Sequence, residues 1–292
     1  MRSAFIKLHL SILLAGFTGI LGKLIQLAEG PLVWYRMLMT SVLFFLYLAA
    51  VGKLPRVSLP EALKICAVGA LLAVHWIFFY GSIKYANVSI GVVCFATVGF
   101  FTAIVEPLVS RTRISPRELF FSIITIAGVA LIFHFDIRYR TGIILGLFGA
   151  FFAACFTVGV KRLGKKHDSC TQLLYQMFGG FFFLTLASPL YLAFFPDMRL
   201  NPDGWDLFYL FLLASICTIG LFLLQIQALE KISAFTVSLS FNLEPVYSIA
   251  LAIILFNEIS EVNFSFFAGL AMICVSVLLQ SWYAVRQRGG AV

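Results

Sequence analysis

A carboxylate followed by a proline deep in an apolar stretch is the pairing in this chain best suited to chemistry. Glu244 lies within the apolar run 234–256, about ten residues in, which at ~1.5 Å per helical residue is roughly 15 Å. If that run crosses a bilayer, an ionised carboxylate there costs several kcal/mol unless it faces protein, water or a counter-ion. Pro245 lacks an N–H, so the Phe241 carbonyl loses its usual helical partner. A freed carbonyl at membrane depth is tolerated where it meets protein or a wet cavity. Asn242, Glu244 and Pro245 are therefore expected to form a broken helix lining a cavity. The competing role for Glu244 is structural, hydrogen-bonded to another helix, with Pro245 only kinking the span.

Arg36, a turn or so inside the run 31–51, neighbours Trp34 and Tyr35. It is a candidate to meet a substrate anion or Glu29 in an outer vestibule, or to serve a structural or interfacial role. His75, Trp76 and Tyr80 share the run 61–83. His75 with Phe79, and Trp76 with Tyr80, are four apart and share helix faces. The corresponding run of the second half carries Gln225 and Gln227. Polar groups in apolar spans face the bundle interior. Glu244, Asn242, Arg36, His75, Trp76, Tyr80 and Gln225 are thus the candidate substrate-binding residues, with packing and interhelical hydrogen bonds as their alternative use. Glu106-Pro107 repeats the Glu-Pro pair near the end of its run, where Glu106 is expected to meet Arg111 or Arg113, with a gate as its alternative role.

Other chemistries find no residues to carry them. The six cysteines include no CxxC pair and the four histidines have no ligand spacing, so neither metal, cofactor nor disulfide framework is expected. The chain has no HExxH and no GxxxxGK[ST] phosphate loop, and its aspartates, at 136, 168, 197, 203 and 206, all sit in or beside loops. An intramembrane enzyme and ATP-driven work are both disfavoured. An accessory membrane subunit is the remaining rival to a carrier, and it would need no solute-accessible cavity.

The elements that must hold these residues are apolar helices. Hydrophobic residues make up 61% of the chain and charged residues 12%, against about half and a quarter in soluble domains; the mean hydropathy is +1.00. A helix needs roughly 20 apolar residues to cross ~30 Å of hydrocarbon. Runs of that size occur at 8–27, 31–51, 61–83, 87–109, 117–135, 142–161, 171–194, 205–229, 234–256 and 262–284. The longest break, Pro196 to Trp205, is rich in Pro, Asp, Asn and Gly, a loop signal. The start of the chain has no small-x-small cleavage site and is read as a retained first helix. With that end in the cytoplasm, fifteen of the 21 Lys and Arg residues fall on the inner side. That bias predicts both termini inside a cell membrane, and it assigns the net charge of +8 to topology and lipid rather than to nucleic acid.

The chain also repeats itself. Residues 82–112 lie on 228–258 without gaps at an offset of 146, with Phe95 on Phe241; Tyr35-Arg36-Met37 resembles Tyr175-Gln176-Met177. Two units of five spans must point opposite ways, because five is odd, and inverted repeats around a midplane cavity are a recurrent transporter plan. The expected fold is an all-α polytopic membrane protein, ten transmembrane helices in two inverted five-helix repeats, 1–138 and 139–292. Gly142, Gly146, Ala150 and Ala154 recur every four residues, and Gly16, Gly19 and Gly22 make a similar stripe; small residues let membrane helices approach closely.

Leu243-Glu244-Pro245-Val246 followed by Phe256-Asn257-Glu258-Ile259, with Gly22-Lys23, Pro31 and Arg36 upstream, resembles the EamA-like family of the drug/metabolite transporter superfamily. The turn departs from that family's Gly-Glu-Arg pattern in having Asn257 and Ile259. The resemblance covers essentially the full length. It implies a secondary transporter of small metabolites such as amino acids or drug-like amines, commonly an exporter, with a small-molecule substrate and the lipid bilayer as its partners.

Overall fold

The computed structural model describes residues 2–133, 139–256 and 264–289, and these form helices and turns with no strand among the described residues. The first half comprises α1 (Arg2–Leu24), α2 (Glu29–Ala50), α3 (Leu59–Tyr85), α4 (Val88–Phe95), α5 (Val98–Ser110) and α6 (Pro116–Phe133). The second half comprises α7 (Arg140–Leu163), α8 (Ser169–Phe194), α9 (Gly204–Ala214), a π-helical segment (Ser215–Gly220), α10 (Leu221–Leu229), α11 (Ala234–Ser240), a 3-10 turn (Phe241–Leu243), α12 (Glu244–Phe256) and α13 (Phe264–Gly289). Among the described residues, seven stretches are helical, long and apolar enough to cross a membrane: α1, α2, α3, Val88–Ser110, α7, α8 and Gly204–Leu229.

Two runs that the sequence presents as single spans are interrupted. The first divides into α4 and α5, and at the break Thr97 turns its hydroxyl onto the Cys94 carbonyl at 2.7 Å. The second divides into α11 and α12 through the 3-10 turn, where Pro245 has no N–H with which to continue the ladder. Both start alike. Asn87 accepts from the Ile90 N–H at 2.8 Å and Ser233 from the Thr236 N–H at 3.1 Å, so each supplies a side-chain cap to otherwise orphaned donors. The caps are 146 residues apart, and so are the first residues of α5 and α12, each 13 residues long.

Packing follows the same exchange. The first helix, α1, lies against α10 and α12, while α7 lies against α3 and α5; α4 packs on α12 and α5 on α11. The second helices of the two halves, α2 and α8, pack on each other, and so do the last, α6 and α13. Small residues permit these approaches. Ala150 and Ala154 are fully buried, and a Cβ added at Gly146 would lie 2.5 Å from that of Cys94. Gly69 is the tightest point between α3 and α8, where an added Cβ would lie 2.0 Å from the Gln176 carbonyl oxygen. That neighbour is backbone, so one helix must move. Gly69→Ala is expected to cost about 1–3 kcal/mol, as overpacking does, and to lower the thermal unfolding midpoint of the detergent-solubilised protein. An unchanged midpoint would show that the two helices separate freely.

Candidate functional site

Where the interrupted helices meet the rest of the bundle, a chamber of about 60 Å³ lies between the two halves. Its walls come from α1 (Ala15, Thr18), α2 (Arg36), α3 (Leu72, His75, Trp76, Phe79), α4 (Phe95), α7 (Ala153, Phe156, Thr157), α10 (Leu221, Phe222, Gln225), the 3-10 turn (Phe241) and α12 (Glu244). The volume admits a few water molecules and is far below the ~300 Å³ or more of drug-sized ligand sites. In this conformation the chamber has room for little more than its own polar groups.

Arg36 is the most constrained of them. It is fully buried. Its Nε donates to Thr218 Oγ1 at 2.8 Å, NH1 to the Tyr80 hydroxyl at 2.6 Å and NH2 to the Cys217 carbonyl at 3.1 Å. Its guanidinium carbon lies 3.6 Å from the centroid of the Trp76 ring, a cation–π contact that a desolvated site strengthens. Three of the five N–H donors of a guanidinium are thereby used. Both Cys217 and Thr218 belong to the π-helical segment, where the Thr218 hydroxyl also donates to the Leu213 carbonyl at 2.7 Å. Single π turns inside α-helices are frequent at functional sites.

Glu244 stands at the first position of α12 and is 3% exposed. Among the described residues no hydrogen bond or ion pair reaches its carboxyl, so Arg36 faces it across more than the 4 Å of a salt bridge. Beyond about 4 Å, with an effective dielectric near 20, two opposite charges attract by less than about 4 kcal/mol. Burial costs several kcal/mol per ion. The two groups therefore do not complete each other, and each keeps hydrogen-bonding capacity for what enters the chamber. Gln225, 7% exposed, likewise lines the chamber with no hydrogen bond to a described residue.

The remaining walls are aromatic. His75 Nδ1 lies 2.9 Å from the Gly149 carbonyl; a carbonyl only accepts, so Nδ1 carries the proton and Nε2 is the ring's other polar atom. Its ring centroid is 5.3 Å from that of Phe95. Trp76 and Phe156 each meet Phe222 nearly edge-on, at 5.6 and 5.8 Å.

Of the residues singled out by sequence, Arg36, His75, Trp76, Gln225 and Glu244 line the chamber, and Tyr80 stands behind it, bonded to Arg36. The Asn242 side chain lies outside the described residues. The Arg36–Glu29 pairing is not made, because Glu29 accepts instead from the Tyr191 hydroxyl at 2.8 Å. Nor does Glu106 turn to the arginines beyond it: its Oε2 accepts from the Phe235 N–H at 2.9 Å, at the start of α11, where free amide donors need acceptors. The chain leaves α5 through Arg111 at φ 55°, so Arg111 and Arg113 lie past a left-handed turn. Gln227 takes up Lys7 at 2.7 Å rather than the chamber. Thr218 escaped the sequence reading although its signal was available, a hydroxyl deep in an apolar run. The π-helical segment left no such trace.

The family model for EamA-like transporters matches the chain twice, over residues 2–134 and 140–282. One solved crystal structure superposes with a TM-score of 0.71, covering 97% of this chain and 98% of that one at 14% identity, a likeness of fold alone. No curated protein sequence matches.

Proposed function

This chain belongs to the EamA-like transporter family, a family of multi-pass membrane transporters, and from that premise we propose that it is a secondary carrier, an exporter, of small metabolites such as amino acids or drug-like amines. The chamber is the solute site, opened alternately to each side as the two halves rock. It is not an enzyme. The carrier sits in the cell membrane as ten spans in two inverted repeats, 1–138 and 139–292, with both termini cytoplasmic. The matched caps at Asn87 and Ser233, the matched starts of α5 and α12 and the exchanged packing partners of α1 and α7 support the repeat.

The observation that carries the solute site is the pairing of polar groups in the chamber. Glu244 offers a buried, unpartnered carboxyl and Arg36 offers two spare N–H donors. A carboxyl suits an ammonium group, a guanidinium suits a carboxylate, and aromatic walls suit the remainder. A small amine needs the first alone and an amino acid needs both.

Reconstituted liposomes loaded with a panel of radiolabelled amino acids and amines test the proposal. Efflux of at least one of them, saturable and accelerated by the same solute outside, is expected. Single cysteines in α3, α10 and α12 should in addition be reachable by an impermeant thiol reagent from either face in turn. Labelling from neither face and no flux would return the protein to an accessory role.

A further inference from the structure

We propose that a second site, separate from the chamber and facing the bilayer, binds amphiphiles with an apolar body and an ammonium head, the head being held by Glu29. A cavity of about 480 Å³ lies between α2, α3 and α8, within the ~300–1,000 Å³ range of small-molecule sites. It shares no lining residue with the central chamber. Its walls include Trp34, Tyr35, Phe78, Phe183 and Tyr191. Phe183 and Thr185, on its rim, are exposed, so it opens sideways between α-helices that are apolar enough to lie in lipid. Val74, at its deep end, is eleven residues before the end of α3, roughly 16 Å of helix.

The outer end of the cavity is polar in one place. Tyr191 covers Gly30, where an added Cβ would lie 2.4 Å from its ring, and donates its hydroxyl to Glu29 Oε1 at 2.8 Å. A phenol leaves the negative charge in place, and no ion pair among the described residues neutralises it. The neighbouring bases are turned elsewhere. Lys84 is bonded to the Ile25 carbonyl, and Arg199 lies 3.2 Å from Asp203 and 3.3 Å from Asp206. Glu29 itself borders an outer vestibule of about 320 Å³ with Lys84, Tyr85 and Arg199 and meets the apolar cavity through the Tyr191 hydroxyl and the adjoining Gly30, which line it. The carboxylate thus stands between an apolar hollow and a wet one, the arrangement an alkylammonium matches end to end. Tryptophan and tyrosine faces near the head add cation–π attraction.

Photo-crosslinking of the full chain in phosphatidylcholine nanodiscs tests this, with a diazirine-bearing dodecylammonium and the dodecanol analogue as probes. The ammonium is expected to label the cavity segments of α2 and α8 about tenfold more efficiently than the alcohol, a preference equivalent to ~1.4 kcal/mol. Glu29→Gln should reduce that ratio to about one, with alcohol labelling unchanged. Ala187→Trp, or Ser188→Phe should the first not fold, fills the cavity and should abolish labelling there by both probes. Equal labelling by the two probes in the unmodified protein, labelling that survives the filled cavity, or a preference that survives Glu29→Gln would each overturn the proposal.

Discussion

Glu244→Gln is expected to lower solute flux in proteoliposomes by at least about 30-fold while the protein inserts and folds as before. The substitution keeps the shape of the side chain and its ability to accept a hydrogen bond. It removes the ionisable carboxyl from a site where no described residue hydrogen-bonds it. Truncating one partner of a buried charged pair costs about 2–5 kcal/mol, and each 1.4 kcal/mol is tenfold, which sets the size of the effect. A positively charged solute should lose the most and a neutral isostere the least. Flux of both at the unmodified level would remove Glu244 from the solute site.

Arg36 should behave differently, because its bonds are structural as well as electrostatic. Its guanidinium ties α2 to Tyr80 on α3 and to two successive residues of the π-helical segment. A lysine keeps the charge, but a single ammonium cannot reproduce a planar fork bonded in three directions. Arg36→Lys is expected to cost about 2–4 kcal/mol, given ~1.5–3 kcal/mol for each hydrogen bond to a charged group and partial replacement by the ammonium. Arg36→Met should cost more, since it removes all three hydrogen bonds and the positive charge that faces Glu244. The double variant Arg36→Met, Glu244→Gln should lose less than the sum of the two single ones. Thermal unfolding in detergent measures all four proteins. Additivity within about 0.5 kcal/mol, as for independent sites, would mean that the two groups do not sense each other.

The legible part of this protein was its hydropathy. Runs of apolar residues located the helices to within two turns at their ends, and the Glu244-Pro245 pair pointed to the break before α12; the matching break between α4 and α5 carries no proline at the break and was not expected. Polar residues stranded in apolar runs, Arg36, His75, Gln225 and Glu244, could be read as facing inward because lipid offers them nothing. Depth and direction were harder. Arg36 sits near the end of its run, which suggests an outer vestibule, yet its long side chain reaches inward to a partner 182 residues away. Glu106 likewise has two arginines close by in sequence and takes an amide 129 residues distant. Such choices depend on which helix ends lack partners after packing, and a single chain read in order does not reveal that.

The smallness of the chamber bears on what the cell keeps. At about 60 Å³ it is a narrow recess rather than a pore. A membrane at 100 mV drives each elementary charge with ~2.3 kcal/mol, and an open water column through the protein would squander that voltage continuously. A recess with room for a few water molecules between aromatic walls offers ions no such column. Patch recordings from membranes crowded with this protein should therefore stay electrically silent until a solute is supplied.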